Sequence, residues 1–229
     1  DPELYYFISS FCFQFAFGQS VDQVVHVGLL PSYASNPDSS LLSMLDYFIK
    51  KGGGGYFHQE EGDLVDFIAR EQEKKIFLWG VSYALLNWKH HFPINHRLNL
   101  IETGGMKGMQ AEITRAELHS EIKKNFHVRS VASEYGMTEL LSQAYAIRDG
   151  LFKFSPTLRV YGRSISDPLS PEKENTTAAL NMIDLANLDS CCFLATDDIG
   201  KVYSDQTFEV LGRLDNSDLR GCNLLLTGN

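Results

Sequence analysis

The first 130 residues interleave two kinds of apolar pattern. Leu4 to Phe17 is apolar on most faces, behind Asp1-Pro2-Glu3 in a first turn, and predicts a helix covered by other elements. Val24 to Leu30 is a nearly continuous apolar run closed by Pro31, as expected of a parallel strand buried on both faces. Ser39 to Lys50 places Leu41, Met44, Leu45 and Phe48 at helical spacing, with Lys50 and Lys51 where the helix dipole favours cations. A short strand at Tyr56-Phe57, a helix over Leu64 to Arg70, a strand over Ile76 to Trp79 and a helix over Val81 to Trp88 follow. Then come a strand over Leu98 to Glu102, a helix over Met109 to Phe126 and a strand over Val128 to Ala132. From Ala144 the runs become short and alternating (Phe152 and Phe154, Leu158 to Tyr161, Ala179 to Ile183, Phe208 to Leu211), broken by Asp-Gly, Asp-Pro and Ser-Pro signals and by a polar loop over Ser164 to Thr177. The pattern predicts an α/β fold, a mixed and mostly parallel sheet flanked by helices, followed by a smaller β-rich portion. Residues 1–150 form the α/β part, 151–211 the β-rich part of the same domain, and 212–229 a hinge-like end.

Length and composition narrow the class. The chain has 229 residues, enough for one large domain or two small ones, and 44% of them are hydrophobic, enough for a substantial core. A net charge of -9 without a Lys/Arg cluster argues against a nucleic-acid partner. Cys12, Cys191, Cys192 and Cys222 form neither a disulfide ladder nor a C-x-x-C pair, which points to a reducing, cytoplasmic setting. The aromatic opening is too short to span a bilayer and lacks the basic flank and cleavage site of a signal peptide, so no membrane span is expected.

Candidate chemistry lies in loops that follow strands, where open α/β sheets bind ligands. Ser133-Glu134-Tyr135-Gly136-Met137-Thr138-Glu139 combines a flat aromatic for a base, a glycine permitting close approach, and two hard oxygen donors of the kind Mg²⁺ prefers. Its bland alternative is a strand-to-helix turn with Thr138 as N-cap. Glu102-Thr103-Gly104-Gly105-Met106-Lys107-Gly108 is the second such loop; both follow strands and are expected to precede helices, so both should aim backbone N–H groups at one crevice suited to an anion. Thr196-Asp197-Asp198-Ile199-Gly200 reads as a tight turn whose acids can take both hydroxyls of a ribose, or as a plain hairpin turn. Gly212-Arg213-Leu214-Asp215 through Cys222-Asn223 mixes charges with turn formers, as a functional segment or a salt-bridged surface loop would. Gly52 to Gly55 lacks the Gly-Lys-Ser/Thr of a phosphate loop and suits a helix stop. His90, His91 and His96 lack a carboxylate at ligand spacing, so a metal hydrolase finds little support.

In this order the four clusters resemble the adenylate-forming superfamily, whose members join a carboxylic acid to AMP and pass the acyl group to a thiol. The resemblance is nearest to the phenylacetate-CoA ligase branch and, within it, to LuxE-type acyl-protein synthetases of bacterial fatty acid reductase systems. It is carried by Gly28 to Tyr33, Glu102 to Gly108, Arg115 to His119, Ser133 to Tyr145 and Phe208 to Asn223. It implies part of an adenylate-forming N-terminal domain using ATP and Mg²⁺, with CoA as a further thiol acceptor in the ligase branch. Gly104 and Gly105 are implied to line the adenine pocket, Tyr135 beside Gly136 to stack on the base, and Thr138 with Glu139 to hold phosphate and metal. Asp198 aligns with the superfamily's Thr-Gly-Asp turn and is implied to hold the ribose, Asp197 standing where that turn has glycine. Arg213 is implied to contact ribose or phosphate, and Asp215 to sit at a hinge.

In the LuxE type the acyl group moves to a late cysteine before delivery to an acyl-reductase or acyl-carrier partner. Cys222 is either that thiol, with Arg220 placed to lower its pKa, or a small buried apolar residue. The superfamily's Ser/Thr/Gly-rich phosphate loop is missing ahead of the first helix, which points to residues upstream of Asp1 and to an inactive fragment. The early end past the hinge fits LuxE-type proteins. Two alternatives stand beside the protein acylase: an acyl- or aryl-CoA ligase, and a non-catalytic binding relative.

Overall fold

The computed structural model describes residues 1–30, 36–57, 61–88, 96–104 and 114–214. Pro31 to Tyr33, His90, His91, Gly105 to Gly108, the helix start at Met109, Asp215, Arg220 and Cys222 therefore lie outside the described residues.

Five strands form the parallel half: β1 (Val25–Leu29), β2 (Gly54–Tyr56), β3 (Ile76–Val81), β4 (Leu98–Thr103) and β5 (Val131–Tyr135). They lie in the order β2-β1-β3-β4-β5, with every neighbour parallel. The two faces of β3 show why its run reads as continuously apolar. Phe77, Trp79 and Val81 face helices α1 (Pro2–Phe17) and α2 (Ser40–Gly52), packing with Phe13, Leu45 and Phe48. Ile76 and Leu78 face α3 (Glu61–Arg70), α4 (Ser82–Leu86) and α5 (Arg115–Phe126), packing with Leu64, Ile68, Leu85 and Ile122. A strand covered on both sides has no polar period to display.

The sheet continues without a break past residue 150. β6 (Ala144–Ala146) pairs antiparallel with β5, and β7 (Phe152–Lys153), β11 (Thr207–Arg213), β10 (Phe193–Val202), β9 (Ala178–Asp184) and β8 (Leu158–Arg163) extend it to eleven strands, all antiparallel to their neighbours. Tyr135, Phe152, Leu158, Met182 and Phe208 form the core of this β-rich part. The expected fold class is observed: an α/β domain with a mixed sheet, parallel first and antiparallel after.

Local chemistry sets the element ends. Gly53 caps α2 at φ 92°, and a Cβ on Gly54 would overlap the His26 carbonyl, so the glycine run serves a helix stop and close pairing of edge strand β2 with β1. At α5, the Thr114 hydroxyl accepts from the Glu117 amide at 3.3 Å, while the Glu117 carboxylate accepts from the Thr114 amide at 2.8 Å. This capping box starts the helix at Arg115. Thr114→Ala is expected to lower stability by about 1 kcal/mol, read as a shift in the urea midpoint; an unchanged midpoint would remove the cap from the account.

Three sequence expectations are corrected. β5 runs to Tyr135, so Ser133, Glu134 and Tyr135 belong to the strand. No helix follows: residues 136–143 are irregular chain, with a turn at Thr138 and Glu139, leading directly into β6. Thr196 to Gly200 is not a tight turn but an irregular stretch inside β10, whose register shifts between Ala195 and Ile199 against β9, and between Ile199 and Gly200 against β11.

Candidate functional site

A cavity of about 600 Å³ opens beside the C-terminal ends of β4 and β5. Its wall is assembled from segments far apart in sequence. The approach to α2 and its first residues contribute Asn36 and Asp38 to Leu41. The end of β4 contributes Thr103 and Gly104, and β5 with the turn after it contributes Glu134 and Gly136 to Glu139. The β10 irregularity contributes Leu194 to Asp198, and the end of β11 contributes Arg213. Tyr5 of α1 and Gln143 complete it.

The turn after β5 is shaped from the β-rich half. Asp184, fully buried at the end of β9, accepts from the Leu141 amide at 2.9 Å, the Ser142 amide at 2.8 Å and the Ser142 hydroxyl at 2.6 Å. Asn187 donates to the Glu139 carbonyl at 2.8 Å and accepts from the Leu141 amide at 3.2 Å. These long-range bonds satisfy backbone groups that a helix would have satisfied locally, and they leave Thr138 and Glu139 exposed on the cavity wall. A Cβ at Gly136 would overlap Glu134 Oε1, so a larger residue there would displace the Glu134 carboxylate from its place at the cavity.

The β10 irregularity is held in a similar way. The Thr196 hydroxyl donates to the Leu180 carbonyl at 2.8 Å, Arg163 Nη2 donates to the Thr196 carbonyl at 2.9 Å, and the Asp198 amide donates to Thr196 Oγ1 at 3.2 Å. Asp197 is consequently turned outward while Asp198 is buried, 3% exposed. Arg213, opposite Asp198 in the β10–β11 register, places Nη2 3.7 Å from Asp197 and Nε 3.6 Å from Asp198.

Of the residues singled out in the sequence, Gly104, Gly136, Thr138, Glu139, Asp198 and Arg213 meet at this one cavity. Tyr135 does not stand where the resemblance implied. Its ring is 2% exposed and packs against Phe152 (5.8 Å) and Phe208 (5.5 Å), and its hydroxyl donates to Asp198 Oδ2 at 2.7 Å. Side chains alternate along a strand, so Tyr135 shares a parity with Ser133, which bonds His119 of α5 at 3.0 Å, while Glu134 takes the opposite parity and reaches the cavity. In this structure Tyr135 holds Asp198 and is not on the cavity wall as a platform for a base.

Sequence reasoning gave no role to Tyr5, Asp38, Glu134 or Gln143, all on the wall. The signal available was Glu134 itself, an acid two residues past the expected strand end at Ala132, which the structure places inside β5. Its charge adds to burial in holding the phenols of Tyr5 and Tyr145 well above the ordinary tyrosine pKa. Cys12 and the thiols of Cys191 and Cys192 are free, and Cys12 is buried, with burial pushing its thiol up. Among the described residues no group of three or more His, Cys, Asp or Glu could hold a metal, and no helix is long and apolar enough to cross a membrane.

No protein-family model matches the sequence, and no curated protein matches it. Solved structures do match in fold. ATP-bound MatB from Rhodopseudomonas palustris superposes with a TM-score of 0.60 at 14% identity, over 89% of this chain and 42% of that one. The O-succinylbenzoate coenzyme A synthetase MenE from Bacillus subtilis, in complex with ATP and magnesium ion, gives 0.62 at 17% identity, over 92% and 46%. The luciferase-like enzyme of the mealworm Zophobas morio gives 0.61 at 14% identity, over 92% and 54%. At 14% to 17% identity the likeness is one of fold: the chain shares the fold of these solved structures. The chain spans about half the length of the structures it matches, and the cavity sits where the parallel half of the sheet gives way to the antiparallel half.

Proposed function

We propose that this chain carries the nucleotide-binding part of an enzyme that activates a carboxylic acid as acyl-AMP and transfers the acyl group to a protein thiol, as LuxE-type acyl-protein synthetases do. The observation that carries it is the convergence of Gly104, Gly136 to Glu139, Asp198 and Arg213, from four separate segments, on one cavity. Open α/β sheets bind ligands at the carboxyl ends of their strands. The donor set suits ATP with Mg²⁺. The Thr138 hydroxyl and the Glu139 carboxylate are hard oxygen ligands on the wall, the buried Asp198 carboxylate accepts from ribose hydroxyls, and Gly104, at φ 87°, lets the chain turn beside a base.

Bound Mg²⁺ supplies charge that offsets the negative charge developing on the phosphates. The chain's own part is positional. Arg213, braced between Asp197 and Asp198, brings a cation to the phosphate side, and Asp198, braced by Tyr135, fixes the ribose so that the acid meets the α-phosphorus in line. Cys222 is the proposed acyl acceptor, with a fatty acid as the substrate of the LuxE reading and an acyl-reductase or acyl-carrier protein downstream. A second reading, an acyl- or aryl-CoA ligase, is favoured by the fold match to a coenzyme A synthetase.

Calorimetric titration tests the nucleotide site. ATP with Mg²⁺ should bind, and Asp198→Asn should weaken binding about tenfold, the loss of roughly one charge-assisted hydrogen bond. Absence of binding, or an unchanged affinity in Asp198→Asn, would overturn the site. Labelled acid retained on the protein without CoA and lost in Cys222→Ser supports the protein acylase; label transfer that requires CoA supports the ligase.

A further inference from the structure

Two thiols stand side by side in the segment that joins β9 to β10. Cys191 is exposed and Cys192 half-buried, and both are free. Cys191 Sγ donates to the Phe193 carbonyl at 3.1 Å. Leu185, Leu188 and Phe193 are exposed in the same stretch, which therefore offers apolar surface as well as sulfur. The backbone of the pair is tied to the turn after β5. Asn187 Nδ2 donates to the Cys191 carbonyl at 3.0 Å and to the Glu139 carbonyl at 2.8 Å. The Asp184 amide donates to the Cys192 carbonyl at 2.9 Å, and the Asp184 carboxylate accepts from the amides of Leu141 and Ser142. The two residues that shape that wall of the cavity are thus each hydrogen-bonded to one of the cysteine carbonyls.

The chemistry of adjacent thiols selects the ligand. A bond between the two sulfurs is disfavoured, because neighbouring Cα atoms are about 3.8 Å apart across a trans peptide, shorter than the roughly 4.4–6.8 Å of ordinary disulfides. A single soft atom set between the sulfurs removes that constraint, and thiolates prefer soft centres. Among the described residues no group of three or more His, Cys, Asp or Glu could hold a metal, so a zinc ion would lack the four ligands of a closed site. Trivalent arsenic carrying one organic group needs only two sulfurs, and its organic group suits the exposed leucines and phenylalanine.

We propose that Cys191 and Cys192 form a capture site for trivalent organoarsenicals, and that its occupation loosens the turn after β5. The hydrated arsenical, with two hydroxyls on arsenic, exchanges two As–O bonds for two As–S bonds. Two waters leave with the two thiol protons, and arsenic stays trivalent, so no oxidant or reductant takes part. Bringing both sulfurs to one atom withdraws Cys191 Sγ from the Phe193 carbonyl and turns the peptide between the cysteines, and with it the carbonyls that Asn187 and Asp184 donate to. Capture stands on the thiols alone, whereas its effect on ATP rests on the reading of the cavity as a nucleotide site.

The test adds phenylarsine oxide to the protein in excess mercaptoethanol, which strips arsenic from single thiols but not from a chelating pair. Mass spectrometry should show one phenylarsenic unit retained by the unmodified protein, absent from Cys191→Ser and from Cys192→Ser, and removed by dithiothreitol. No retention, or retention in either variant, overturns the site. Hydrogen exchange reads the turn without nucleotide: the Leu141 and Ser142 amides should exchange about tenfold faster in the adduct, and unchanged exchange overturns the coupling. ATP with Mg²⁺ should bind the adduct about tenfold more weakly than the unmodified protein, the loss of roughly one hydrogen bond; equal affinity overturns control of the cavity. Absence of ATP binding before any arsenical is added removes the nucleotide reading instead, and capture and coupling are then decided by mass and exchange alone.

Discussion

Tyr135→Phe is expected to weaken ATP binding at least tenfold and to lower folding stability by about 2 kcal/mol, although it keeps the whole aromatic ring. The hydroxyl it removes donates to Asp198 Oδ2 at 2.7 Å, and Asp198 is only 3% exposed. A buried carboxylate that loses a charge-assisted donor pays a desolvation penalty with no water at hand to replace the bond. It also becomes free to turn toward Arg213, whose Nε is 3.6 Å from its other oxygen. The experiment separates two roles for the same residue. If Tyr135 stacked on a base, phenylalanine would serve as well, and only loss of the ring would matter. If Tyr135 braces Asp198, phenylalanine is already damaging. Calorimetry with ATP and a urea melt on Tyr135→Phe decide: wild-type values in both would return the residue to the stacking role and remove the bond to Asp198 from the account.

Tyr135 also shows where sequence reading stops. The motif placed a tyrosine beside a glycine and two oxygen donors, and all but the tyrosine face the cavity. The strand reading ended at Ala132, three residues before β5 ends at Tyr135. Extended through the motif, the period of two would have set Glu134 and Gly136 on one face and Ser133 and Tyr135 on the other. The missing helix after Glu139 has a different cause. Its backbone groups find partners in Asp184 and Asn187, more than forty residues later, and no local propensity reports a bond of that range. The Asp-Asp-Ile-Gly stretch looks like a turn by composition, yet it is held on both sides by β9 and β11, so pairing outweighs propensity and the chain bulges. What was legible was whatever depends on burial alone: the apolar runs of β1 and β3, the amphipathic face of α2, and the change to short alternating strands after Ala144.

Stability should fall as pH drops from 6.5 towards 4, before ordinary carboxylates finish titrating, because two histidines are folded in neutral form. His26 is fully buried among Phe13, Phe48 and Trp79. Its Nε2 faces the Val21 carbonyl at 3.1 Å, and its Nδ1 lies 3.3 Å from Trp79 Nε1, which can only donate. The ring is therefore the tautomer with hydrogen on Nε2, and a second proton would set N–H against N–H. Burial, with Lys74 nearby adding to it, lowers the His26 pKa from 6.5 to about 4, against the opposing pull of the Val21 bond. Burial first, then Arg115 and Lys123, lower His119 from 6.5 to about 4 as well, and its Nε2 meets Ser133 Oγ at 3.0 Å. The sign follows from proton counting. Between the two pKa values the unfolded chain binds a proton that the folded chain does not, so acid favours unfolding; above 6.5 neither state is protonated, and below about 4 both are. Each histidine then removes a few kcal/mol at most by about pH 4.5. Urea melts across that range should show the midpoint falling steadily, with NMR placing both imidazoles far below 6.5. A flat midpoint, or imidazoles titrating at the ordinary value, would mean that the helices over both sheet faces admit water to these rings, and the tight packing of α1 and α5 on the sheet would have to be given up with it.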